Sequence, residues 1–228
     1  MIDTVFLDAG GVLVHPGWPR ISAVLASHGV QVSAAALAAA DPRARYEIDE
    51  ASIIGDTTDR TRGWLYFEKV LRYGGVTPSE RTAQALEELR EYHRSENLWE
   101  YMSGDAVPAL EALRSRGLKL VVVSNANGRL RRLFDRLELT PLVDVILDSH
   151  EWGVEKPDAR LFHLALEQAG SEAAKTVHVG DLYHVDVAGA RGAGLCGAVL
   201  VDAAGLYPQV DCPRIGAISD LMICLDRL

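Results

Sequence analysis

Four segments, far apart in the chain, end in residues suited to ionic chemistry. Asp8 is followed by Ala9, Gly10 and Gly11, and Ser124 by Asn125. Lys156 precedes Pro157, and the Gly180-Asp181 pair has Asp186 five residues on. Three carboxylates, one ammonium and a hydroxyl are a poor way to stabilise an apolar core, because every buried charge must be paired. They are a good way to hold a divalent cation and a phosphoryl group. A carboxylate can attack phosphorus once a cation and a lysine neutralise the phosphoryl oxygens. Mg²⁺ takes oxygen ligands in octahedral geometry and keeps several waters. Asp8 and Asp181 can supply two of those ligands and the Gly10 carbonyl a third. Asp186 can be a further ligand or can orient a bound water. The expected phosphoryl contacts are the backbone of Ala9 and Gly10, together with Ser124, Asn125 and Lys156. Glycine removes the Cβ that would keep backbone N–H groups away from a phosphate, and lysine offers a compact positive charge.

The elements that must position these groups are legible as a pattern. Thr4-Val5-Phe6-Leu7 is a short apolar run stopped at Asp8-Ala9-Gly10-Gly11, the signature of a buried parallel strand. Similar runs occur at Leu118 to Val123, Val143 to Leu147, Thr176 to Val179 and Ala198 to Val201. Helical patterns lie between them, at Ala106 to Arg116, Arg129 to Leu137, Ala159 to Ala169 and Val185 to Ala193. This alternation predicts an α/β fold, a doubly wound parallel sheet with helices on both faces. In such sheets ligands bind beyond the carboxyl ends of the strands. Asp8, Ser124 and Asp181 each follow a predicted strand, and Lys156 lies in the loop after another. From about His15 to Asn97 no strand is evident. Helical stretches near Pro19 to His28, Ala34 to Ile48, Asp59 to Arg72 and Ser79 to Ser95 predict a helical insert after the first strand. The expected division is 1–15 with 98–228 for the core and 16–97 for the insert.

Taken in order, these motifs resemble the haloacid dehalogenase superfamily. Val5-Phe6-Leu7-Asp8-Ala9-Gly10-Gly11-Val12-Leu13 is similar to its first motif and Val121-Val122-Val123-Ser124-Asn125 to its second. Glu155-Lys156-Pro157-Asp158 is similar to the third, and Val179-Gly180-Asp181 through Asp186 to the fourth. Any one is weak; four in order, each tied to a predicted strand, are specific. The resemblance implies a Rossmann-like core with an inserted α-helical cap. It implies Mg²⁺-dependent hydrolysis of a small phosphomonoester, a sugar phosphate among the options. Asp8 would form an aspartyl-phosphate that water then hydrolyses. Asp8, Lys156 and Ser124 would be catalytic, and Asp8, the Gly10 carbonyl and Asp181 would hold the cation, with Asp186 close by.

Three positions depart from the family pattern. Most of its phosphatases carry a second aspartate two residues after the nucleophile, as general acid and base; here Gly10 stands there. Val12 replaces a usual threonine, and Leu182 a usual serine or threonine. General acid–base help is worth roughly 10² to 10⁴-fold, so several readings stay open. The leaving group can be one that needs little protonation, such as an anomeric oxygen or an acyl phosphate. Another group can donate the proton: His15, Tyr46, Glu47 or Asp49. A phosphonate-cleaving relative would need a lysine in the insert, where Lys69 is the only one. A 2-haloacid dehalogenase usually has tyrosine at the place of Gly10 and uses no metal. The alternative of another class is a phospholigand-binding protein with little turnover.

The remaining composition narrows the partners. The 228 residues carry a net charge of −9, which argues against nucleic acid or an anionic membrane surface. Three cysteines without a close pair predict free thiols in a reducing compartment. No apolar run reaches the ~18 residues of a membrane span, and no basic segment precedes the first apolar stretch. The expectation is a cytoplasmic monomer or homodimer acting on a small phosphorylated metabolite.

Overall fold

The computed structural model describes residues 1–228. The chain divides into two compact units, 1–15 with 102–228 and 16–101. In chain order the first unit opens with β1 (Thr4–Leu7) and β2 (Val14–His15). The helical unit follows: α1 (Trp18–Ser27), α2 (Ala34–Ile48), α3 (Ala51–Asp56), α4 (Asp59–Tyr73) and α5 (Glu80–Ser95). After β3 (Tyr101–Met102) come α6 (Ala106–Ser115), β4 (Lys119–Ser124), α7 (Leu130–Arg136) and β5 (Val145–Asp148). Then α8 (Ser149–Trp152), α9 (Ala159–Ala169), β6 (Thr176–Gly180) and α10 (Ala188–Gly192) follow. The chain ends with β7 (Gly197–Val201), β8 (Arg214–Ile215) and α11 (Leu221–Leu225).

Six strands form one parallel sheet in the order β5-β4-β1-β6-β7-β8. β1 and β6 are buried along their whole length, and β4 all but its first residue, because helices cover both faces and leave no polar side. Phe6, Val121, Val123 and Leu147 pack on one face with Leu161, Phe162 and Ala165 of α9 and Ala190 of α10. Leu110 and Leu113 of α6, which packs on β4, are fully buried. The chain leaves β1 toward β4 and leaves β6 toward β7. Between β1 and β6, therefore, neighbouring strands send their loops in opposite directions, and that divergence opens a crevice at the carboxyl edge. Asp8 and Asp181 stand at its two sides.

Several expected elements shift by a few residues. The predicted helix over Val185 to Ala193 begins earlier, as a π-helical turn over Tyr183–Val187, and only then becomes α10. At the start of the helix after β4, Asn127 Oδ1 accepts from the Arg129 N–H (3.2 Å), while Asp148 Oδ2 accepts from Leu130 N–H at the first helical position (3.2 Å). Asp148 Oδ1 also accepts from the His150 N–H (3.0 Å), so one buried carboxylate starts both α7 and α8. The two-residue strands β2, β3 and β8, and the single-turn α3, are too short to carry a periodic signal.

The helical unit has a core of its own. Ile21 and Leu25, Leu37 and Ala44, Phe67 and Val70, and Ala85 and Leu89 pack from four successive long helices. Ser33, Thr58 and Ser79 each accept a backbone N–H at a helix start, which fixes where α2, α4 and α5 begin. Leu98, where the sequence suggests a return to the sheet, is fully buried in this core, and its carbonyl accepts from Gly17 N–H (2.7 Å). No helix is long and apolar enough to cross a membrane.

Candidate active site

Asp8 follows the last residue of β1, where its N–H donates to the Val179 carbonyl of β6 (2.8 Å). The chain then turns sharply. The Ala9 carbonyl accepts from the N–H groups of Leu13 and Val14 (2.9 Å each), and Gly11 takes a φ of 77°, open to glycine at little cost. Ala9 N–H donates to Asp8 Oδ1 (2.7 Å). The carboxylate is thus held from below while its other oxygen, Oδ2, lies 3.1 Å from Lys156 Nζ.

Lys156 is completely buried. Its ammonium also lies 2.7 Å from Asp186 Oδ1. Its main chain is held by Asn125, whose Oδ1 accepts from Lys156 N–H (2.7 Å) and whose Nδ2 donates to the Lys156 carbonyl (3.0 Å). The Lys156–Pro157 peptide is cis. Asn125, expected on the substrate, thus spends its carbonyl and one N–H on this loop. Ser124, 3% exposed at the end of β4, donates its hydroxyl to the Asn125 carbonyl (3.4 Å), and the same hydroxyl favours the charged form of Asp8.

Asp186 projects from the π-helical turn and is fully buried. Its Oδ1 accepts from Lys156 Nζ and from His178 Nε2 (2.9 Å); its Oδ2 accepts from the N–H groups of Asp181 (3.2 Å) and Leu182 (3.0 Å). Carboxylate oxygens of Asp8, Asp181 and Asp186 lie within 4.8 Å of one another. Asp186, expected near the cation, therefore has its lone pairs engaged by protein donors. Close packing makes this possible: a Cβ on Gly180 would sit 2.1 Å from Asp186 Cγ.

The electrostatics follow from burial. Asp8 is pushed above the usual carboxylate range by loss of solvent, only partly offset by Lys156 and Ser124, while Asp186 adds to the rise. For Asp186 burial acts the same way, but Lys156 and His178 outweigh it and hold the carboxyl well below its ordinary value. Lys156 loses solvent too, yet Asp186 and Asp8 raise it above the normal lysine range. Burial lowers His178, and the bond to Asp186 opposes this only in part. Three carboxylates against one ammonium leave the cluster two charges short of neutrality. That deficit and the oxygen-only donor set fit a hard divalent cation.

The structure thus brings Asp8, Ser124, Lys156, Asp181 and Asp186 to one place within the first unit. Of the groups considered in the insert, Glu47 and Lys69 are engaged inside the helical unit. Glu47 bonds the Tyr73 hydroxyl, Lys69 Nζ (3.1 Å) and Arg72 (3.2 Å); the Tyr73 hydroxyl foremost, then Lys69, keeps its carboxyl below the ordinary range against the effect of burial. Lys69 is thereby paired rather than presented as an amine nucleophile. Asp49 is buried and Tyr46 half-exposed. His178 was legible only as part of a strand. The signal that could have found it is a lone imidazole in an otherwise apolar strand, three residues before Asp181.

The family model for haloacid dehalogenase-like hydrolases matches residues 2–194. A Bos taurus protein, haloacid dehalogenase-like hydrolase domain-containing protein 3, is 32% identical over 226 residues, covering 95% of this chain and 89% of that protein. The ribulose-1,5-bisphosphate 5-phosphatase of Halopiger xanaduensis is 35% identical over 143 residues, 62% of this chain and 59% of its own. Among solved structures, the magnesium-bound putative HAD-hydrolase YfnB of Bacillus subtilis superposes with a TM-score of 0.72 at 17% identity, covering 99% of both chains.

Proposed function

We propose that this chain, which belongs to the haloacid dehalogenase-like hydrolase family, hydrolyses small phosphomonoesters in the cytoplasm with Asp8 as nucleophile. The observation that carries the reading is the placement of the Asp8 carboxylate: 3.1 Å from a buried lysine and grouped with Asp181 and Asp186. A phosphoryl group that meets Asp8 finds the ammonium of Lys156 and the hydroxyl of Ser124 beside it. Those donors stabilise charge on the phosphoryl oxygens as the bond from phosphorus to Asp8 forms and the ester P–O bond breaks, the ester oxygen leaving with the alcohol. Water then attacks the aspartyl-phosphate and restores the carboxylate.

Asp8, the Gly10 carbonyl and Asp181 would hold Mg²⁺. When bound, the ion neutralises phosphoryl charge and lowers the cost of keeping Asp8 ionised. Asp186, with its oxygens engaged, anchors Lys156 and the backbone of Asp181 and Leu182. Gly10 supplies no side chain to protonate the leaving oxygen. The substrates favoured are therefore those whose leaving group needs little protonation, such as anomeric sugar phosphates and acyl phosphates. The name of the Halopiger relative, a sugar-phosphate phosphatase, supports the phosphoester part of this reading.

The test is phosphate release from a panel of sugar phosphates, nucleotides and acyl phosphates, with Mg²⁺ and with EDTA. Activity should require Mg²⁺ and fall by about 10³-fold or more in Asp8→Asn. Equal release by the variant would refute the nucleophile. The absence of a carboxylate at position 10 favours one second reading, a phospholigand binder. Micromolar binding across the panel with no release from any member would select it.

A further inference from the structure

Asp186 is an ionised carboxylate with about four acceptor sites, and four protein donors reach it: Lys156 Nζ, His178 Nε2, Asp181 N–H and Leu182 N–H. Three of these belong to residues with other work. His178 has none. It lies fully buried on β6, its ring edge-on to Phe162 at 5.1 Å between centroids, and its Nδ1 has no hydrogen-bond partner. Packing alone does not account for an imidazole there. An apolar side chain would fill the space against Phe162 without leaving a buried ring nitrogen bare. What the imidazole adds is one directed N–H. Because an ionised Asp186 can only accept, the proton of that bond sits on His178 Nε2.

We propose that His178 is a positioning residue whose Nε2–H fixes the Asp186 carboxylate and, through it, the ammonium of Lys156 facing Asp8. Lys156 Nζ is shared between Asp186 Oδ1 (2.7 Å) and Asp8 Oδ2 (3.1 Å), and His178 bonds the same Oδ1 that receives the ammonium. Without His178 that oxygen keeps one donor in place of two. The ammonium is then drawn deeper onto Asp186 and away from the nucleophile. The role concerns where the lysine stands during reaction, so it acts on the chemical step more than on substrate capture.

Two measurements test this. The first needs no activity: long-range ¹H–¹⁵N spectra of the wild-type protein in EDTA at neutral pH, which read the ring protons of His178. A protonated Nε2 is expected, and an Nε2 without a proton removes the bond and overturns the proposal. The second rests on the phosphatase reading above and compares His178→Gln with His178→Leu. Glutamine can place an N–H near the position of Nε2; leucine fills the space without a donor. His178→Leu should lose about tenfold or more in kcat, the scale of one hydrogen bond to a charged group, with KM changed by less than about threefold. His178→Gln should recover most of that loss. Leucine equal to or better than glutamine would make the residue a packing one and refute the role. Should no substrate be turned over, the phosphatase reading falls and the spectra still decide this one.

Discussion

Asp8 carries a charge that the fold without a cation does not balance, and this has a thermodynamic signature. Its carboxyl is raised above the unfolded value by burial. The group's cost to stability therefore grows as pH rises from the unfolded value near ~3.9, is complete above the folded pKa, and vanishes below the unfolded value. Asp8→Asn should accordingly stabilise the protein in EDTA at neutral pH by about 1 kcal/mol, read as a melting temperature roughly 2–4 °C higher. Lys156 keeps Asp186 as a partner in the variant. The gain should shrink on acidification, and saturating Mg²⁺ should reverse it by stabilising the wild type more. A variant less stable than wild type in EDTA at pH 7 would contradict the charge deficit. At this scale the sequence was informative about identity and silent about partners. Asp8, Ser124 and Asp181 could be singled out because each lies at or just beyond a strand end, and Lys156 and Asp186 because each lies in the segment that follows one. That Asn125 holds the Lys156 main chain, and that His178 completes Asp186, depends on which atoms meet across gaps of 31 and 8 residues. No local pattern encodes that.

The elements do their positioning through unusually close contact between β6 and the turn that follows. Gly180 ends β6, and Asp186 folds back over it. An added Cβ would fall 2.4 Å from Asp186 Cβ as well as 2.1 Å from Cγ, and Asp186 cannot withdraw without releasing Lys156. Gly180→Ala should therefore destabilise by more than about 3 kcal/mol, the scale of breaking a buried ion pair. The readout is the urea midpoint, or the soluble yield if folding fails. A midpoint within experimental error of wild type would show that the turn relaxes freely. The five main strands were readable from apolar runs bounded by glycine or by charged residues. The π-helical turn was not, because its i→i+5 spacing leaves the same residue types in sequence as an ordinary helix start. It is the early onset of that turn that aims Asp186 inward.

On the scale of the molecule, two units hold separate cores. Leu37, fully exposed to none of the solvent, lies in the helical unit's core beside α4. Leu37→Ala should cost about 2–5 kcal/mol of local stability. Amides of α2 and α4 should exchange faster by hydrogen-exchange mass spectrometry, while those of β1, β4 and β6 keep wild-type rates. Equal acceleration in the sheet would mean that the two cores unfold as one. The sequence suggested this division because strand-like runs vanish between His15 and Asn97. The second crossing was expected at 97/98, with Leu98 to Gly104 read as a linker; the helical unit runs on to 101.

The double hold on Lys156 has a consequence for how the site can change over generations. Its main chain is gripped by Asn125 and its ammonium by Asp186, which is itself steadied by His178 and the 181–182 backbone. Losing any one of these leaves a buried polar group with one partner fewer, and only a replacement that puts a matching donor or acceptor in the same place makes it good. The lysine's rotamer freedom, worth about 2 kcal/mol, is surrendered as the chain folds, so a ligand arrives at a charge already aimed. Substrate preference can drift through residues elsewhere, but a change at any of these four positions is felt by the other three.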